Sequence, residues 1–92
     1  MADEDDQPRS PEEGRALGKY PISVASKLTG VPEHKLRAFE SAELIGPDRT
    51  EGGTRLFSDE ELEKIRRIAG LADKGVNYAG IREILEMTEG QE

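Results

Sequence analysis

The sequence Ile22-Ser23-Val24-Ala25-Ser26-Lys27-Leu28-Thr29-Gly30-Val31, continued by His34-Lys35-Leu36-Arg37-Ala38-Phe39-Glu40 and closed by Arg55-Leu56-Phe57, decides the fold. Val24, Ala25 and Leu28 follow Ser23 at helical spacing, which predicts a helix over about Ser23 to Leu28 with Ser23 as its N-cap. Thr29-Gly30-Val31 reads as a turn, Gly30 taking a positive φ at little cost and Val31 dropping into a core. A second helix starts at Pro32-Glu33, turns Leu36 and Phe39 inward and ends near Ala42. Two short helices around a glycine are the geometry of a helix-turn-helix, in which one helix is held out like a finger.

On the C-terminal side, Leu44-Ile45 extends the apolar set and Gly46-Pro47 breaks the chain. Asp48 to Phe57 reads as a small hairpin, with Thr50 and Thr54 flanking Glu51-Gly52-Gly53. Ser58-Asp59-Glu60-Glu61 is a capping box opening a third helix to about Lys74, with Leu62, Ile65, Ile68, Ala69 and Ala72 on one stripe and Gly75 closing it. Asn77 caps a fourth helix through Tyr78, Ile81, Ile84 and Leu85. On the N-terminal side, residues 1–18 are acids, Pro, Gly, Ser and Arg with scarcely an apolar anchor except Leu17. Such a stretch cannot bury enough surface to offset its ordering entropy. The expected organisation is a disordered acidic tail over 1–18, a winged helix-turn-helix domain over 19–88 and a short tail over 89–92. The fold class is mainly α, four helices plus a short β-hairpin wing.

Ninety-two residues with 34% hydrophobic content allow one domain with a small core, and the absence of Trp leaves Leu, Ile, Val and Ala to build it. The lack of Cys excludes disulfides, thiolate catalysis and Cys-ligated metals. One His, no nucleophile–base pair and no phosphate loop argue against an enzyme, and neither a cofactor nor a metal is expected. No run approaches a membrane span and the N-terminus lacks signal-peptide order, so a cytoplasmic location is expected. The net charge of −7 is unevenly spread. Residues 1–18 carry six acids against two arginines (−4), residues 19–57 carry six bases against five acids (+1), and residues 58–92 carry nine acids against five bases (−4). The only segment that is not acidic is the helix-turn-helix with its hairpin.

The ordered set Ile22, Ala25, Gly30-Val31, Leu36-Arg37, Phe39-Glu40, Leu44-Ile45, Pro47, Arg49, Gly53, Arg55-Leu56-Phe57-Ser58 and Gly75 resembles the MerR family of winged helix-turn-helix regulators, over about Tyr20 to Leu85. The Glu-Gly-x-x-Arg-Leu-Phe wing and the Gly75-to-Ile81 step Gly-Val-Asn-x-Ala-Gly-Ile look most like its heat-shock-repressor and nitrogen-regulator branches. The sequence departs from the family at Ala38-Phe39, where relatives commonly carry Tyr-Tyr, and at Glu43, where a Gly is expected. The resemblance implies that the second helix enters the major groove of double-stranded DNA, that the hairpin grips the flanking backbone, and that a homodimer reads a twofold operator.

On that reading His34, Lys35 and Arg37 face the groove, where Lys or Arg reaches guanine O6 and N7 or a phosphate. Arg49 and Arg55 on the wing, with Thr54 beside them, suit phosphate, and Lys19 and Lys27 add backbone contacts. Phe39 is expected in the core rather than on DNA, Arg37 has an alternative as an ion pair with Glu33 or Glu40, and His34 has an alternative as a solvated residue without a base contact. The function so implied is transcription regulation, as a repressor. The alternative is a protein-binding adaptor or chaperone modulator on the same scaffold, reaching a protein partner through the acidic flanks. The acidic tail reads either as an inert solubility segment or as an arm that competes with DNA for the basic head. In the second case deleting residues 1–18, which moves the net charge from −7 to −3, raises duplex affinity most at low salt, because screening shortens to about 8 Å near physiological ionic strength. Titrating parent and deletion with duplex at several salt concentrations checks this, and equal affinities at every salt assign the inert role.

Overall fold

The computed structural model describes residues 17–89, which form α1 (Ile22–Thr29), α2 (Glu33–Ser41), a hairpin of β1 (Asp48–Arg49) and β2 (Arg55–Leu56), α3 (Asp59–Asp73) and α4 (Tyr78–Glu89). Residues 1–16 of the expected tail and residues 90–92 lie outside the described residues. Four helices and one antiparallel hairpin are the architecture expected from the sequence, and their order is the same.

Helix α1 begins one residue before its expected start, and Ser23 is not its cap. Pro21 occupies the N-cap position without a side-chain hydrogen bond, and its carbonyl accepts from Ala25 N–H at 2.9 Å. The fixed φ of Pro21 (−61°) sets the entry instead. The inward stripe also differs from the apolar one: Ala25 is fully buried, while Val24 and Leu28 remain 38% and 49% exposed. Ile22, Ala25, Ser26 and Thr29 are the residues that turn inward, at spacings of three and four. Ser26 and Thr29 use that position for the turn, Ser26 Oγ donating to Val31 O at 2.7 Å and Thr29 Oγ1 donating to Ala25 O at 2.8 Å. Gly30 closes the helix with φ 78°.

The other caps follow the sequence. Ser58 and Glu61 exchange both capping-box hydrogen bonds, and the second oxygen of Glu61 reaches across to accept from Gly46 N–H at 3.0 Å. That ties the start of α3 to the loop after α2. Asn77 Oδ1 accepts from Gly80 N–H at 2.8 Å in the first turn of α4. Helices α2 and α3 end in the same way. Leu44 N–H reaches back to Phe39 O and Glu43 N–H to Glu40 O; Val76 N–H reaches Leu71 O and Gly75 N–H reaches Ala72 O. Both ends therefore need a left-handed residue, met by Gly75 (φ 93°) in one and by Glu43 (φ 62°) in the other. An L-residue in that conformation costs about 1–2 kcal/mol relative to its right-handed form.

The core is one cluster. Ala25, Val31, Leu36 and Phe39 come from the first two helices, Leu44, Ile45 and Phe57 from the connecting segments, Leu62, Ile65 and Ile68 from α3, and Ile81 and Leu85 from α4. Phe39 and Phe57 are its largest side chains, and Tyr78 meets the Phe39 ring edge-on at 5.8 Å.

The segment before α1 belongs to the hairpin. Tyr20 and Phe57 form an antiparallel bridge, with Lys19 N–H and Tyr20 N–H donating to Phe57 O at 3.0 Å and Phe57 N–H donating to Tyr20 O at 2.7 Å. Gly18, counted with the tail in the sequence reading, donates its N–H to Asp48 Oδ2 at 3.1 Å. A Cβ at this glycine would stand 2.5 Å from Leu56 O and 2.9 Å from Asp48 Oδ2, closer than any real contact. A tail deletion that spares the fold therefore stops before Gly18. Gly18→Ala is expected to cost about 1–3 kcal/mol through the forced shift of the segment, whereas Gly46→Ala, whose Cβ meets nothing within 4 Å, stays within about 0.5 kcal/mol of the parent. Urea titration of the two variants checks the difference.

Candidate nucleic-acid interface

Helix α2 divides its surface three ways. Leu36 and Phe39 are buried, His34, Lys35, Arg37 and Ser41 are exposed, and Glu40 lies half-buried on the side facing the hairpin. The outward arc carries three of the side chains that the sequence singles out. His34 and Lys35 stand in the first turn, where the partial positive charge of the helix end adds to that of the Lys35 ammonium. Among the described residues neither pairs with an acid. Arg37 does, with Glu33 one turn back at 3.2 Å. Of its two sequence-level partners Glu33 is the one it meets, because Glu40 is occupied elsewhere. The Arg37 side chain is 50% exposed, so this i,i+4 pair contributes only about 0.3–0.5 kcal/mol and yields readily to another anion.

The wing concentrates charge. Arg49 and Arg55 are register partners across the ladder, an arrangement in which two like charges repel. The Glu40 carboxylate stands between them and gives one oxygen to each: Arg49 Nη2 donates to Oε2 at 2.8 Å and Arg55 Nε donates to Oε1 at 2.5 Å. Arg49 is held a second time, its Nη1 donating to Gly53 O at 2.8 Å. Burial pushes the Glu40 carboxyl up, but the hydrogen bonds and charges of Arg55 and Arg49 outweigh it and bring it below its ordinary value of 4.5. Thr54 is exposed on the turn, its N–H bonded to Thr50 Oγ1 at 3.1 Å.

The two outlying lysines part company. Lys27 is exposed on α1 and pairs with no acid among the described residues. Lys19 meets Asp59 in the first turn of α3 at 3.0 Å, and that hydrogen bond pushes its ammonium pKa up. The Tyr20 hydroxyl donates to the same carboxylate at 2.7 Å, which raises the Tyr20 pKa as well. Lys19 is thus drawn to the α3 side of the hairpin, while α2, Lys27 and the wing arginines carry the remaining positive charge.

Three polar roles were missed in the sequence reading. Glu40 is the anion between the wing arginines; two facing arginines in a hairpin favour an acid nearby, without saying which acid supplies it. Arg66 of α3 donates to Leu28 O at 3.1 Å and Arg82 of α4 donates to Ala42 O, so each arginine caps the C-terminal carbonyls of one helix of the helix-turn-helix. No periodicity announces those two contacts, because they join positions about forty residues apart. Among the described residues no group of His, Asp and Glu is placed to hold a metal ion, and no helix is long and apolar enough to cross a membrane.

Comparison with known proteins places this geometry. The family model described as MerR HTH family regulatory protein matches residues 20–88. The HTH-type transcriptional regulator GlnR of Bacillus anthracis is 38% identical over 80 residues, 87% of this chain and 62% of that protein. The heat shock protein HspR of Streptomyces coelicolor is 41% identical over 69 residues, 74% of this chain and 46% of that one. The chain thus spans less than two thirds of the length of these relatives. Among solved structures, HiNmlR, a MerR family regulator lacking the sensor domain and bound to promoter DNA, superposes with a TM-score of 0.73 at 24% identity, over 79% of this chain and 56% of that one. A MerR family transcriptional regulator from Bacillus cereus gives 0.65 at 28% identity, over 72% and 50%.

The Glu40 cluster makes a pH-dependent contribution to stability. Its folded-state carboxyl titrates below its unfolded value, so the contribution is complete above that value and is lost as the pH falls through the folded one. Glu40→Gln is expected to lower stability at pH 7 by about 1.5–2 kcal/mol, the lower part of the range for hydrogen bonds to charged groups because Arg49 is solvated. The gap to the parent narrows as the pH drops below 4.5, and denaturant titrations at pH 7 and at acid pH measure it.

Proposed function

The chain belongs to the MerR HTH family of regulatory proteins, and from that premise we propose that it is a DNA-binding transcription regulator. The observation that carries the reading is the split surface of α2: a helix anchored by Leu36 and Phe39 presents His34, Lys35 and Arg37 to solvent, beside a wing with two arginines. Helix α2 enters the major groove, Lys35 and Arg37 reaching base edges or the nearest phosphates, while the wing and Lys27 lie along the backbone. Two copies related by a twofold axis read the two halves of an operator, since one such helix covers a single half-site. The direction proposed is repression, which needs occupancy of the site and nothing more from the described surface. Its place is with the DNA, in the cytoplasm. The GlnR relatives named as transcriptional regulators and the promoter-bound neighbour support this reading.

A protein-binding adaptor is the second reading, and one observation favours it. Lys19, Arg37, Arg49 and Arg55, four of the six bases in the head, are already paired with acids of the same chain. Duplex binding separates the two. Arg55→Ala is expected to weaken binding nearly equally on all sequences and to reduce the salt slope by about one unit, as for one lost phosphate contact. Lys35→Ala is expected to cost about 1–3 kcal/mol more on the operator than on random duplex if it reads a base. Salt-titrated binding to promoter and random duplexes supplies both numbers, and two variants that bind like the parent transfer the function to a protein partner.

A further inference from the structure

We propose that Glu40 is a positioning residue for DNA: its carboxylate holds Arg55 and Arg49 so that together they seat one backbone phosphate, even though it adds a negative charge beside the DNA surface. The proposal rests on the DNA reading above and deepens it. Simple electrostatics gives the opposite sign, because an acid next to a phosphate-binding surface repels the ligand. The geometry argues against that simple view at three points.

Arg49 and Arg55 stand opposite each other in a hairpin of two residues per strand, joined by a turn at Thr50 to Thr54. Two guanidinium groups there would splay apart in solvent without an anion between them. Glu40 prevents this from the neighbouring helix, at 2.8 Å and 2.5 Å.

The division of donors within each guanidinium is the second point. Arg55 spends only Nε on Glu40, and among the described residues Nη1 and Nη2 have no partner, so the two-donor edge that matches a phosphate is left over. Arg49 spends Nη2 on Glu40 and Nη1 on Gly53 O. It acts as the brace and Arg55 as the contact.

Charge is the third point. Two arginines and one carboxylate leave a net +1, enough for one phosphate rather than two. Arg55 is also the more sheltered of the pair, its side chain 27% exposed against 46% for Arg49, so less of its ordering remains for DNA to complete. The carboxylate stays ionised throughout the neutral range, because its arginine partners hold its pKa below the ordinary value against the opposing effect of burial.

The test is salt-titrated binding of the full chain to promoter duplex, at a temperature where each variant is shown folded by its melting curve. Glu40→Gln is expected to weaken binding about threefold or more at moderate salt and to lower the slope by about one unit. The double variant Glu40→Gln/Arg55→Ala is expected to bind no more weakly than Arg55→Ala alone, as for two residues acting through one contact. Arg49→Lys keeps the charge but replaces the two nitrogens that separately hold Gly53 O and Glu40 by a single ammonium nitrogen without the planar fork, and weaker binding by this variant supports the proposal even where Glu40→Gln does not fold. Tighter binding by Glu40→Gln with a steeper salt slope, or an Arg49→Lys variant equal to the parent, overturns it and leaves the DNA reading intact. A parent that binds no duplex at low salt overturns both.

Discussion

Arg49 and Arg55 face each other across the shortest of ladders, and two cations at that separation need an anion between them. Glu40 supplies it from α2, so a single carboxylate fixes the hairpin to the helix that carries His34, Lys35 and Arg37. A two-residue-per-strand hairpin has little stability of its own. It holds its place because Glu40 grips it on one side and the Tyr20–Phe57 bridge on the other, with Phe57 fully buried beneath. The distance between α2 and the hairpin is therefore set by ionic and hydrogen-bonded contacts rather than by core packing alone.

The helix-turn-helix is fastened by the same long-range method. Helices α1 and α2 have eight and nine residues, too few for a helix to persist alone in water. Arg66 and Arg82 reach from α3 and α4 to cap their last carbonyls, and Glu61 reaches from α3 to the Gly46 amide. Glu43 stores a little strain where Gly75 stores none, since both sit in the left-handed position that closes a helix. The longer helices act as a frame that holds the shorter ones.

The charge distribution gains meaning from these contacts. The chain is acidic overall at −7, which opposes association with nucleic acid. Several acids are absorbed within the head: Glu33 by Arg37, Glu40 by the wing arginines, Asp59 by Lys19 and Tyr20. What stays without an acid partner on α2, among the described residues, is the imidazole and ammonium of its first turn, at the positive end of the helix, while Arg37 is exposed beside them in its pair with Glu33. Local arrangement, rather than net charge, makes the surface suitable for an anionic ligand.

The sequence by itself determined the order of elements, the Gly30 turn, the Ser58–Glu61 capping box, the Asn77 cap and the inward set Leu36, Phe39, Ile65, Ile68 and Ile81. All of these are governed by spacings of a few residues, where periodicity and capping chemistry act. It misled on α1, because the stripe that turns inward there includes Ser26 and Thr29, whose hydroxyls the turn consumes, while apolar Val24 and Leu28 stay outside. The candidate basic residues were legible as residue types, and their states were not. Which of them hold an acid, and which remain open, follows from Glu40 meeting Arg55 across 15 positions and Lys19 meeting Asp59 across 40. Only the tertiary structure decided those pairings, because nothing in local sequence encodes which distant charge a folded chain will bring within 3 Å.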